Sequence, residues 1–328
     1  MSSGVPVHGG TDAGPEPRYD FSSNANPVGA CPSVLAAVRA ADVTRYPDPL
    51  YLDVRRKLAA YHGTSAERIV VGAGASELIV RLIRRTAGAV QQLGPTFCEY
   101  AHGARLCERR LHTARTPAAF LREQARHPGI GFICWPNNPT GELWPLEFVA
   151  AACDAGPVVI DLAYAALCGP DRSAKIAAAA AGGYRLYSPN KALGLTGIRA
   201  AYVVLPRADR RLAALAPSWV IGRDSEALLT AAIHPRALSW IGQTVPRFSR
   251  WRIGLAASLQ HRGFQVRQSP ATFLLARVGN AAGVAVGLRQ RGIRVRDCTS
   301  FGLPEWIRVS AQPPLAQRAL LSALGRAP

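Results

Sequence analysis

The sequence predicts an α/β fold, with a large domain built on a mostly parallel sheet and a smaller α+β domain beside it. Three observations carry this. Short apolar runs alternate with helical stretches from about Arg68 to Leu205, the pattern of βα units. Beyond Pro206 the pattern changes to long Ala/Leu/Arg helices and then to short strands. A length of 328 residues suggests two domains, and 48% hydrophobic content is ordinary for a globular enzyme with a large core. Residues 1–35 are expected to join the small domain, 36–214 to form the large one and 215–328 to complete the small one.

In order along the chain, the first sixteen residues are rich in Gly, Pro and Ser and are expected to lack regular structure. Val34 to Ala40 reads as a helix with Ser33 as N-cap. Asp53 to His62 reads as a second. Arg68 to Val71 is a strand that runs through Gly72-Ala-Gly74-Ala75-Ser76-Glu77 into a helix. Gly131 to Trp135, Val158 to Asp161, Arg185 to Ser188 and Ala200 to Leu205 are further buried strands. Helices follow at Asp209 to Ala216, Ser225 to Ile233 and Ser239 to Gln260. The tail has strands near Phe264 to Val266, Thr272 to Arg277, Ile293 to Arg296 and Trp306 to Ser310, a helix near Ala282 to Arg291 and a closing helix.

Polar groups gather at the strand ends. Asn138 follows one strand, Asp161 ends the next, Ser188 and Lys191 follow a third, and Arg199 accompanies a fourth. All are expected at or just past carboxyl ends, where open α/β sheets bind ligands. Only three of the 39 basic residues are lysines, at 57, 175 and 191. An amine retained at 191 can form a Schiff base once its pKa is lowered, which a guanidinium cannot. Ala75 and Ser76, at a strand-to-helix junction, suit a phosphate cradle of backbone N–H groups, a hydroxyl and a helix dipole. Ser188 and Arg199 would add a donor and a positive charge. Asp161, at the end of an apolar strand, requires a cationic partner, because an unpaired buried carboxylate is costly.

Composition narrows the function classes. No stretch of about eighteen apolar residues without charge is present, which argues against a membrane helix. No secretory signal is apparent, and the seven cysteines are scattered singly, as in a reduced, cytoplasmic protein. The seven histidines are equally dispersed, so no metal site is expected. A formal net charge of +18 invites a nucleic-acid partner, but the basic residues are spread along the chain without a recognition motif, so none is expected.

Asn138-Pro-Thr-Gly141, Asp161-x-x-Tyr164 and Ser188-x-x-Lys191 with Arg199 eight residues on resemble fold-type I pyridoxal-phosphate enzymes of the aminotransferase class I/II group. The resemblance runs over nearly the whole chain. It implies pyridoxal 5′-phosphate on Lys191, its phosphate held by Ala75, Ser76, Ser188 and Arg199, and its ring nitrogen paired with Asp161. Asn138 and Tyr164 would donate to the ring's phenolic oxygen, and Phe97 would stack on the ring. Tyr46, in Arg45-Tyr-Pro-Asp48, would reach the cofactor phosphate of a second subunit, implying a homodimer. Arg308 would grip a substrate carboxylate, with Arg296, His8 and Asn26 near a substrate phosphate. Within the group, His8-Gly-Gly10, Asp20 to Pro27 and Arg45 to Asp48 are similar to threonine-phosphate decarboxylases of cobalamin biosynthesis. That similarity implies conversion of L-threonine O-3-phosphate to (R)-1-aminopropan-2-yl phosphate and CO₂. Histidinol-phosphate aminotransferases share the last two elements, so transamination is the alternative. One departure is Gln312, where the decarboxylases carry a second arginine.

Overall fold

The computed structural model describes residues 8–327; the first seven residues of the N-terminal segment lie outside the described residues. Its strands are β1 (Tyr19–Asp20), β2 (Ile69–Gly72), β3 (Ala89–Leu93), β4 (Leu111–Ala114), β5 (Gly129–Cys134), β6 (Val158–Asp161), β7 (Tyr184–Tyr187), β8 (Ala201–Val204), β9 (Val266–Arg267), β10 (Phe273–Arg277), β11 (Ile293–Arg294), β12 (Arg296–Asp297) and β13 (Trp306–Ser310). Seven of them form one sheet in the order β2-β8-β7-β6-β5-β3-β4. Every pairing from β7 across to β4 is parallel, and β8 runs against both its neighbours.

Helices cover both faces of this sheet, so its strands are apolar on both sides. Alternate residues divide between two cores. In β8, Tyr202 and Val204 pack with Leu58 and Phe248, while Ala201 and Val203 pack with Leu78 and Phe132. In β6, Val158 and Ile160 face one core and Val159 the other, which puts Asp161 on the face of Val159, Phe132 and Tyr100.

A second sheet, β12-β13-β10-β9, is antiparallel, and β1 pairs in parallel with β11, Tyr19 opposite Ile293. The N-terminal segment therefore joins the C-terminal part of the chain. The helix Pro235–His261 serves two cores, with Ala237, Ile241 and Phe248 in one and Leu255 and Leu259 in another.

Several expectations are corrected. The first helix starts at Pro32, with Cys31 rather than Ser33 at the N-cap position, because proline suits the first turn and has no N–H to satisfy. The helix expected from Ser239 starts four residues earlier at Pro235, after His234 accepts from the Arg236 amide. β3 and β4 carry glutamine, histidine and threonine, and those polar residues hide their strand character in the sequence.

Candidate active site

A cavity of about 520 Å³ opens between the large sheet and the N-terminal segment. It is lined by His8, Ala75, Ser76, Phe97, Asn138, Tyr164, Ser188, Lys191, Arg199, Arg296 and Arg308 together. Asp161 lies beneath its floor, fully buried at the end of β6. Asn138, Asp161, Ser188 and Lys191 meet because parallel strands deliver their carboxyl ends to one edge, while the N-terminal segment brings His8 and the antiparallel second sheet brings Arg296 and Arg308. Arg199 reaches that edge differently. It precedes β8 instead of following a strand, and the reversed direction of β8 brings its start to the same side.

At one end of the cavity the groups suit an anion. The helix Ala75–Arg85 begins there, so its first N–H groups face the cavity. Gly74 has φ +88°, and a Cβ on it would lie 2.5 Å from an Arg199 guanidinium nitrogen, so only glycine lets the arginine close on the turn. Ser188 is buried and its hydroxyl has no hydrogen-bond partner among the described residues; it makes no helix-cap bond either. A buried hydroxyl without a partner in this position calls for a ligand oxygen. The Ser76 hydroxyl is shared with Glu99.

Lys191 sits in the short helix Pro189–Ala192, with its Nζ 5.6 Å from the centre of the Tyr164 ring. Burial holds its pKa below the ordinary lysine value; Asp161 opposes that shift and Arg199 adds to it. Asp161 accepts from the Tyr100 hydroxyl at 2.8 Å and from the Ala163 amide at 3.0 Å. Burial raises its pKa, with Lys191 and these hydrogen bonds pulling the other way. A cation brought against it is therefore strongly favoured.

At the other end two arginines stand side by side, Arg296 on β12 opposite Arg308 on β13. Arg308 is buried, donates to the Asn138 side-chain oxygen and to the Ser22 carbonyl at 2.8 Å, and forms no ion pair among the described residues. Arg296 donates to the Ser300 hydroxyl at 2.7 Å and lies over the Phe301 ring. Burial lowers the pKa of both. Arg308, a desolvated guanidinium without a carboxylate partner among the described residues, and Arg296 beside it offer an anionic group two positive charges. His8 pairs with Glu99 at 3.0 Å, and hydrogen bonds that its ring shares with Cys98 and Glu99 lift its pKa to about 9.

One expected residue is placed elsewhere. Asn26 does not line the cavity; its amide donates to the Ala192 carbonyl and the Thr244 hydroxyl, and its oxygen accepts from the Val28 amide. It ties the N-terminal segment to the lysine-bearing turn. Asn24 lines the cavity instead, 3.4 Å from the Tyr164 hydroxyl. Tyr46 is 78% exposed and stacks on Trp219, away from the chain's own cavity. Tyr100 escaped notice in the sequence, although it follows Phe97 at helical spacing, and the two rings meet edge to face 5.7 Å apart.

A buried lysine amine, a buried carboxylate on the neighbouring strand and an anion cradle at a helix start define a fold-type I pyridoxal-phosphate enzyme. The model of the family described as aminotransferase class I and II matches residues 17–324, and the chain belongs to that family. Its cofactor is pyridoxal 5′-phosphate, which the unpartnered Ser188 hydroxyl and the buried Asp161 fit. The histidinol-phosphate aminotransferase of Halorubrum lacusprofundi is 31% identical over 319 residues, covering 90% of this chain and 85% of its own. A histidinol-phosphate aminotransferase from Sinorhizobium meliloti, solved with pyridoxal 5′-phosphate, superimposes with a TM-score of 0.82 at 23% identity, covering 94% of this chain and 90% of the other. An L-threonine-O-3-phosphate decarboxylase from Porphyromonas gingivalis gives 0.78 at 21% identity, covering 93% and 97%.

The expectation of a threonine-phosphate decarboxylase in cobalamin biosynthesis is thereby corrected. Curated relatives at about 30% identity over nearly the whole chain are histidinol-phosphate aminotransferases, whereas the decarboxylase shares the fold. His8-Gly-Gly had favoured the decarboxylase, but His8 is engaged with Glu99. Gln312 does not line the cavity; its amide donates to the Asp20 carbonyl and the Ser310 hydroxyl. Among the described residues no helix is long and apolar enough to cross a membrane.

Proposed function

We propose that the protein is an aminotransferase of the histidinol-phosphate kind, transferring an amino group between a small phosphorylated amine and a 2-oxo acid. The observation that carries this is one cavity with an anion cradle at each end and the lysine amine within it. Ser188, Arg199, Ser76 and the Ala75 amide hold the cofactor phosphate. Asp161 takes the protonated ring nitrogen, Asn138 and Tyr164 face the phenolic oxygen, and Phe97 covers the ring. When bound there, the cofactor supplies an electron sink for the pair released at the substrate's α-carbon. Arg296 and Arg308 receive the substrate's anionic groups and fix its orientation, so that the α-hydrogen faces Lys191. Lys191 carries that proton, a task its lowered pKa suits.

Histidinol phosphate with 2-oxoglutarate should yield glutamate, and threonine phosphate should release no CO₂. No glutamate with this pair, or CO₂ from threonine phosphate, would remove the assignment.

The working unit in this proposal is a homodimer in which Tyr46 reaches the partner's cofactor phosphate. Exposed Val43, Tyr46 and Trp219 line one surface hollow in support. Tyr46→Phe should weaken cofactor binding by the loss of one charge-assisted hydrogen bond, about 1.5–3 kcal/mol at most. A monomer in sedimentation that retains full cofactor and full activity would refute the shared site.

A further inference from the structure

Outside the cavity, three ligand-bearing side chains converge at the edge of the large sheet. His112 lies on the edge strand β4, Glu123 in the helix Pro117–Arg126, and His127 at that helix's C-terminal cap. Glu123 and His127 are four residues apart and so share a helix face. Gln91 on β3 donates to the His127 carbonyl and fixes that cap against the sheet. The two imidazoles stack with ring centres 4.0 Å apart and planes 17° from parallel, so one ring must turn out of the stack before their in-plane lone pairs can converge on one ion.

Glu123 Oε2 lies 3.2 Å from His112 Nδ1 and 3.6 Å from His127 Nε2, and one ligand atom from each residue lies within 4.8 Å of the others. A tetrahedral ion with bonds of about 2.0–2.2 Å needs its ligand atoms roughly 3.3–3.6 Å apart. The 3.6 Å edge has that length and the 3.2 Å edge is slightly short, while the third, between the two imidazoles, forms when one ring turns out of the stack. The three side chains are 19%, 27% and 38% exposed, which leaves room for an ion to enter and for water as a fourth ligand.

We propose that His112, Glu123 and His127 form a binding site for a divalent transition-metal ion of the zinc or cobalt type. Two imidazoles and one carboxylate select such an ion over magnesium or calcium, which prefer all-oxygen sets. The ion would clamp the edge strand β4 to the helix behind it, far in function from the cofactor chemistry.

The test is titration of the chelator-treated holoenzyme with Co²⁺. One equivalent per chain should bind and give visible ligand-field bands in difference spectra, without a thiolate-to-cobalt charge-transfer band. His127→Ala and Glu123→Gln should each weaken binding on the order of a hundredfold or more, since losing a direct ligand exceeds the usual loss of a supporting contact. Cys98→Ser should leave Co²⁺ affinity unchanged. Both substituted side chains lie at the surface end of one helix, and an unaltered cofactor spectrum verifies that each variant folds. Zn²⁺ should raise the melting temperature of the natural protein but not of His127→Ala. Absence of Co²⁺ binding, or binding that survives both substitutions, overturns the proposal. So does a thiolate band, which would place the ion with His8, Cys98 and Glu99 at the cavity mouth.

Discussion

Replacing Lys191 by arginine should leave a protein with no cofactor that borohydride can fix, and turnover should fall on the order of a thousandfold or more. The substitution keeps a positive charge, so electrostatic loss is not the cause. A guanidinium remains protonated, forms no Schiff base and gives up no proton at working pH. In the natural protein, burial already favours the neutral amine at this position. Mass spectrometry after borohydride should find the adduct on Lys191 and on neither Lys57 nor Lys175. Lys57 is tied to Asp53 on an exposed helix face and does not line the cavity. An adduct on Lys57 or Lys175 would overturn the site.

The second large effect concerns Asp161. Asp161→Asn keeps the shape and the Ala163 contact but removes the charge that stabilises a protonated ring nitrogen. Breaking a buried ion pair costs about 3–5 kcal/mol, which corresponds to two to four orders of magnitude in kcat. The cofactor-free protein should tell the opposite story. There the carboxylate is a desolvated charge, so the asparagine variant should melt no lower than the natural protein. Tyr100→Phe removes the hydroxyl that holds the carboxylate and should cost about 1.5–3 kcal/mol in kcat, with KM little moved. A shift in the pH dependence of the cofactor's absorption would show that Tyr100 acts through Asp161. If Asp161→Asn kept activity within tenfold, the ring-nitrogen role would be wrong.

Much of the site was legible in the sequence because its residues follow strands. Asn138, Asp161, Ser188 and Lys191 each end or follow an apolar run, so their sharing of one sheet edge follows from parallel topology. Arg199 came to the same edge through the reversal of β8, which no local pattern discloses. The choice of Asn26 over Asn24 failed because the chain bends at Ala25, so two residues that strict extension would put on one side face different ways. β3 and β4 were not assigned, since AVQQL and LHTA read as polar; their partners supply the burial. The substrate was least legible. His8-Gly-Gly is a short motif near the N-terminus, and its histidine's engagement with Glu99 depends on a residue ninety positions away.

The order of strands in the large sheet also bears on how the chain is made. β2 pairs only with β8, and Ile69 meets Val204, on the order of 130 residues later. At ribosomal speeds of about 5–20 residues per second, β2 leaves the ribosome roughly 7–27 seconds before its partner exists. During that interval an apolar Ile-Val-Val edge has exposed backbone groups and nothing native to pair with. Newly synthesised chains thus pass through a window in which neither edge of β2 is paired, whereas in the finished fold β8 covers one of them. Yield in a host cell should therefore respond to chaperone supply and to translation rate through residues 69–204.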